Sequence, residues 1–309
     1  MQVKHTLNWL LLVFSCLTGC SQDKQTYALF EKPTYNFLYQ LAEPNKSWIL
    51  PKALVEISGL SFIDNNRLAC VQDEKGNIYI FNLKAGAVEL KIKFGDNGDY
   101  EGIEIIEDDA WVLKSNGTLY KVTDYLNIPK PKVKKHKTAL SVKNDAEGLA
   151  YDPVKKNLLI ACKEQPFLDD RKGNDYKAIY SINLETKQID PEPFLLINMD
   201  TIKYYRSDNT MTRLGAEIQD FLDPSKGDVR FKPSGIAIHP LTGNIFILGS
   251  VGKLMLVLSR KGEILAIIRL SSMLFPQPEG MCFSPDGNLY IANEGAGQEG
   301  TILKFEPIK

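Results

Sequence analysis

Three glutamates occupy the same place in a phrase that repeats along this 309-residue chain. They are Glu101, Glu147 and Glu279, read as Glu101-Gly102-Ile103, Glu147-Gly148-Leu149 and Glu279-Gly280-Met281. Two further copies carry serine there, in Ser58-Gly59-Leu60 and Ser234-Gly235-Ile236. If equivalent elements bring the five copies to one axis, three carboxylates and two hydroxyls meet. Converging carboxylates repel one another unless they are protonated or neutralised by a cation. An all-oxygen set suits Ca²⁺, which takes about six to eight oxygens, better than Mg²⁺, which demands a tighter octahedron. Zn²⁺ is disfavoured, because no histidine or cysteine accompanies the glutamates. The competing structural reading is that each Glu or Ser caps the turn before its strand by accepting backbone N–H bonds.

A second acidic series, Asp73, Glu164 and Glu294, closes the second apolar run of three repeats. It is expected to face the same end as the glutamates, with hairpin-turn chemistry as the alternative. Asp145, two residues before Glu147, is a possible further ligand, while Asp99 and Tyr100 read as loop. Nucleophilic catalysis has little support. Beyond the leader there are only His136 and His239, with no Gly-x-Ser-x-Gly elbow and no phosphate-binding Gly-x-x-x-x-Gly-Lys loop.

The elements that must position these groups are short β-strands. Gly59, Gly102, Gly148, Gly235 and Gly280 recur about every 45 residues, with one interval near twice that. Blades of a β-propeller have about this period. Turns such as Asn116-Gly117 and Asp286-Gly287 join β-rich runs into hairpins. The reading is an all-β, five-bladed β-propeller, with six blades as the alternative. The long interval is expected to hold a helical insertion over 210–222, where apolar residues at 211, 214, 218 and 221 have helical spacing. A strand over 34–41 is expected to complete the last blade and remove an exposed edge. The basic run 130–137 reads as a solvated loop.

The N-terminus reads as address, not fold. Leu7–Leu17 is apolar but too short to span a bilayer. Leu17-Thr18-Gly19-Cys20 looks like the lipobox of bacterial lipoproteins, which implies cleavage before Cys20 and lipid on that residue. The expected organisation is a signal peptide over 1–19, a tether over 20–33 and one propeller domain over 34–309. The membrane is then a partner through lipid on Cys20, and the location is the bacterial cell envelope, on the periplasmic or cell-surface side. A net charge of −1 gives no field favouring nucleic acid. Cys70, Cys162 and Cys282 lie in separate apolar runs and read as buried free thiols, not a disulfide framework.

The lipobox, the five Gly-led phrases and the stretch Lys232-Pro233-Ser234-Gly235-Ile236-Ala237-Ile238-His239-Pro240 together resemble the SdiA-regulated family of bacterial propellers, over about residues 50–306. The resemblance implies five blades, a distant similarity to NHL repeats and a calcium site. The expected function is a membrane-anchored, calcium-binding module that takes an unknown small-molecule or protein ligand at the propeller face, leaning away from an enzyme. The alternative is a calcium-dependent propeller hydrolase of the lactonase, esterase or phytase-like kind, in which the ion is a Lewis acid.

Overall fold

Runs rich in Ile, Val, Leu and Tyr between tight turns pair into five antiparallel sheets, as β-branched and aromatic residues on half-buried pleats should. The computed structural model describes residues 25–126, 131–173, 175–207 and 231–308.

Blade 1 is β3 (Ile57–Asp64), β4 (Arg67–Gln72), β5 (Asn77–Asn82) and β6 (Ala87–Lys93). Blade 2 is β7 (Tyr100–Ile106), β8 (Asp109–Lys114), β9 (Leu119–Thr123) and β10 (Lys132–His136). Blade 3 is β11 (Ala146–Asp152), β12 (Asn157–Cys162), β13 (Tyr176–Asn183) and β14 (Leu195–Asn198). Blade 4 runs from β15 (Lys232–Ile238) through β16 (Ile245–Val251) and β17 (Leu254–Leu258) to β18 (Ile264–Arg269), with β1 (Tyr27–Glu31) added outside. Blade 5 is β19 (Pro278–Phe283), β20 (Leu289–Asn293) and β21 (Thr301–Phe305), completed by β2 (Lys46–Ile49).

The first strands close a ring: β3 lies against β7, β7 against β11, β11 against β15, β15 against β19, and β19 against β3. Five hydrophobic clusters fill the wedges between neighbouring blades. This is a five-bladed propeller, and the six-bladed alternative falls. The long interval holds the stretch 163–173 after β12 and helix α1 (Met199–Ser207), besides residues outside the described ones. The helix expected over 210–222 lies outside the described residues. Helix α1 starts where Asn198 Oδ1 accepts the Asp200 N–H at 2.8 Å, an N-cap. It buries Met199 and Ile202 and stacks Tyr205 on Phe30, with ring centres 4.0 Å apart.

Three expectations are corrected. The ring does close by an N-terminal strand, but residues 46–49 supply it, Trp48 pairing with Ile302. Residues 34–41 form no strand. Their Tyr39 and Leu41 are buried between blades 4 and 5, and the Tyr39 hydroxyl donates to the Gly287 carbonyl at 2.6 Å. The expected tether over 20–33 contains β1, which covers the edge of β18 and packs Leu29 and Phe30 on the core. The basic run is not a loop: Lys132–His136 is the outer strand of blade 2, paired with β9.

Cys70, Cys162 and Cys282 are free and buried, as expected. His239 serves a turn: its Nδ1 accepts the amides of Leu241 and Thr242, each at 3.2 Å.

Candidate functional site

In every blade the ladder of the first strand slips at the residue before the glycine. Pairing jumps from Ile57 to Gly59, Tyr100 to Gly102, Ala146 to Gly148, Pro233 to Gly235 and Pro278 to Met281. These are β-bulges, in which one extra residue leaves the ladder and its side chain is re-aimed. The extra residue is Ser58, Glu101, Glu147, Ser234 or Glu279. The repeated phrase is thus a bulge, and the bulge aims five side chains at one end of the axis.

The glycines close that axis. A Cβ on Gly59 would lie 2.9 Å from Gly102 Cα, one on Gly102 would lie 2.8 Å from Leu149 Cβ, and one on Gly148 would lie 2.9 Å from the Ile236 side chain. On Gly235 it would meet the Glu279 carbonyl oxygen at 2.5 Å. The space left at this level is about 10 Å³, room for one water at most. The channel is therefore a cup and not a tube.

Above the glycines the cup opens to about 290 Å³. Glu101, Glu147 and Glu279 line it together with Asp73, Asp145 and Glu294. Glu56 and Asp99 line it as well, from positions that the repeated phrase does not mark. Against these eight carboxyl groups stands one cation, Lys163, whose Nζ lies 2.7 Å from Glu147 Oε1. Glu147 is almost wholly buried, its side chain 5% exposed.

The two serines do something else. Ser58 Oγ donates across the blade boundary to the Tyr100 carbonyl at 2.6 Å, and Ser234 Oγ to the Pro278 carbonyl at 2.8 Å. Each hydroxyl ties its blade to the next by the backbone just before that blade's bulge. The Glu copies place carboxyl groups at the mouth, and the Ser copies hold the ring.

The acidic pattern in the sequence points to Glu164, but the side chain that lines the cup from blade 3 is Lys163. Asp73 and Glu294 directly follow Gln72 and Asn293, the ends of β4 and β20. The residue that directly follows the end of β12 is Lys163. From glycine to strand end, blade 3 is one residue longer than blades 1 and 5. A one-residue slip turns a side chain to the opposite face. Glu164 accordingly turns to Lys232, with which it pairs. The unequal spacing of the acidic series was the available signal.

The electrostatics follow from crowding. Burial pushes the Glu279 carboxyl up to about 8, with the Glu147 charge adding to it. Glu101 is raised by burial, then by Glu147 and by a hydrogen bond with Asp99. Glu147 is raised by burial even though Lys163 opposes the shift. Burial acts to lower the Lys163 ammonium, but the carboxylates, Glu147 most of all, together hold it above the usual lysine range. Asp73 Oδ1 is buried with no hydrogen-bond partner. Among the described residues, no three acidic, histidine or cysteine side chains stand close enough to grip a single ion as they lie.

A larger groove of about 380 Å³ lies at the rim beside α1 and blade 4. Its charged residues, Lys32 and Glu263, pair with each other, so it lacks the uncompensated charge of the mouth.

A family model described as SdiA-regulated matches residues 45–223. No curated protein matches the chain by sequence. Similar solved structures include the PQQ-bound aldose sugar dehydrogenase from Streptomyces coelicolor, with TM-score 0.48 and 11% identity, covering 86% of this chain and 100% of that one. A gluconolactonase from Xanthomonas campestris has TM-score 0.48 and 11% identity over 81% of this chain and 72% of its own. A streptogramin B lyase has TM-score 0.47 and 10% identity over 85% and 97%. At these identities and scores, none of them assigns chemistry to this chain.

Proposed function

The chain belongs to the SdiA-regulated family, and we propose that it is an envelope-anchored binding module whose channel mouth takes Ca²⁺. The observation that carries this reading is the imbalance at the mouth, where eight carboxyl groups face one ammonium in a closed cup. The donor chemistry fits Ca²⁺, being all oxygen, flexible and rich in carboxylate. Glu101, Glu147 and Glu279 would hold the ion, with Asp145 and Asp73 beside them, and the side chains would draw together to do so. Bound there, the ion would neutralise the repulsion that adds to the effect of burial on these carboxyl groups. Ser58 and Ser234 would keep the ring closed around it.

Calorimetric titration of the folded protein with Ca²⁺ is expected to give saturable heat and a rise in Tm. Glu147→Gln should weaken the affinity about tenfold, a loss near 1.4 kcal/mol, and shrink the thermal shift. No heat and no thermal shift in the wild type would remove the metal from the proposal.

A second reading, a hydrolase of lactones, esters or phosphoesters, draws support from the carboxyl groups themselves. An acid with its titration moved to about 8, as in Glu279, is poised for proton transfer near neutral pH. Turnover of such substrates that is abolished by chelator and by Glu279→Gln would favour it over pure binding.

The anchor would be the lipid on Cys20. No helix among the described residues is long and apolar enough to cross a membrane, and Cys20 lies outside the described residues. In cells, Cys20→Ser should move the protein from the membrane fraction to the soluble one, since stable anchoring takes more than one acyl chain and all of them would sit on this residue. Retention of the variant in the membrane fraction would refute the anchor.

A further inference from the structure

We propose a second binding site, on the rim between blades 2 and 3, that takes a phosphate-class anion through Lys134, Lys187 and the His136 imidazole, with Lys121 beside them. The register of blade 2 puts Trp111 opposite Lys121, and Lys121 opposite Lys134, in one row across the sheet. Like charges directly opposite on neighbouring strands are unfavourable. Asp109 offsets Lys121 at 2.7 Å, but it does not offset Lys134.

Blade 3 adds a further cation to the same spot. Lys187 stands in a turn after β13 with φ 62, a left-handed conformation that a lysine adopts at a cost. That turn carries its Nζ to 4.8 Å from the centre of the Trp111 ring, which already has Lys121 Nζ at 5.7 Å. His136 stacks on the same ring, centres 5.6 Å apart at 28°, and its Nε2 is buried with no partner. Burial and then the neighbouring lysines push both the His136 and the Lys187 titrations down. Glu185, in the Lys187 turn, is the acid that acts against this.

An exposed edge strand is often guarded by lysines against pairing with another chain. That accounts for Lys132 and Lys135. It does not require a lysine from the next blade above the same indole, nor an imidazole nitrogen left unpaired. A tetrahedral anion would use both: lysines suit phosphate as point charges, and the Nε2, once the imidazole turns to expose it, supplies a directed donor. Inorganic phosphate and the head group of an anionic phospholipid share this chemistry.

The test titrates the full-length protein with inorganic phosphate at constant ionic strength, following tryptophan fluorescence and Tm. A second arm sediments the Cys20→Ser protein with vesicles of phosphatidylglycerol and phosphatidylcholine, and with phosphatidylcholine alone. A saturable phosphate response that weakens about tenfold in Lys134→Gln and again in Lys187→Gln supports the site with a free ligand. Sedimentation that needs phosphatidylglycerol and is lost in the same variants supports the site with a head group as ligand. Exposed lysines elsewhere, replaced in Lys52→Gln and Lys84→Gln, should change neither readout. No response in either arm, or equal responses in Lys134→Gln and wild type, would overturn the proposal.

Discussion

Gly235→Ala is expected to destabilise the protein by about 3 kcal/mol, the upper end for forced overpacking. In a domain of this size that is a fall in Tm of roughly 5 °C. The new methyl group would sit 2.5 Å from the Glu279 carbonyl oxygen. That atom is backbone, so no rotamer change can clear it. It also belongs to the bulge of the next blade, so any relief must push blade 5 outward and shift Glu279 at the mouth. The reason for glycine here is close approach, not backbone conformation. Gly297→Ala separates the two effects: its φ is +89 and nothing lies within 4 Å of the added methyl. It should cost only the left-handed conformation, about 1–2 kcal/mol. Thermal unfolding of both variants decides the matter. If Gly235→Ala costs no more than Gly297→Ala, the glycines are not what closes the axis.

The Gly-led phrase was legible because it repeats where the physics repeats. Every blade must bring its first strand to a crowded axis, so each copy needs glycine there and an apolar residue next to it. The outer strands face no such demand. Lys132–His136 is almost wholly exposed and has no hydrophobic period to betray a strand. The closing strand, Lys46–Ile49, buries only Trp48. Residues 34–41 misled in the opposite sense: Tyr35, Phe37 and Tyr39 alternate as a strand would, but their rings pack against blades 4 and 5 without pairing. At the site, Glu101, Glu147 and Glu279 were found because they share the bulge position. Lys163 was not, because one extra residue in blade 3 moves the equivalent position off the spacing of Asp73 and Glu294, and the acid next to it, Glu164, matches them in type. Helix α1 escaped notice because it spans few turns and two tyrosines end its apolar stripe.

Lys163→Met is expected to have a cost that depends on pH. Removing one partner of a largely buried ion pair typically costs about 3–5 kcal/mol. The Lys163 side chain keeps 27% of its exposure, which places it at the lower end, about 3 kcal/mol near pH 8. The sign follows from the carboxyl groups. In the fold, Glu101, Glu147 and Glu279 titrate above their ordinary 4.5. A group whose pKa is raised on folding contributes stability that is fully present below the unfolded value and is lost as pH rises through the folded one. The wild-type protein without added metal should therefore lose stability from about pH 5 upward, through the Glu279 value of about 8. Lys163 opposes the upward shift at all three glutamates. Without it their titrations rise further and the alkaline loss steepens. At pH 5 the three carboxyls hold their protons in the fold, and variant and wild type should nearly coincide. Glu147→Gln added to Lys163→Met should restore most of the loss at pH 8, because the stranded charge is gone. If the mouth takes Ca²⁺, the ion should stabilise Lys163→Met more than wild type, since it supplies the positive charge the variant lacks. Denaturant titrations at pH 5 and pH 8, with and without Ca²⁺, measure all of this. An equal loss at both pH values would mean that Lys163 acts by packing its aliphatic stem and not by its charge.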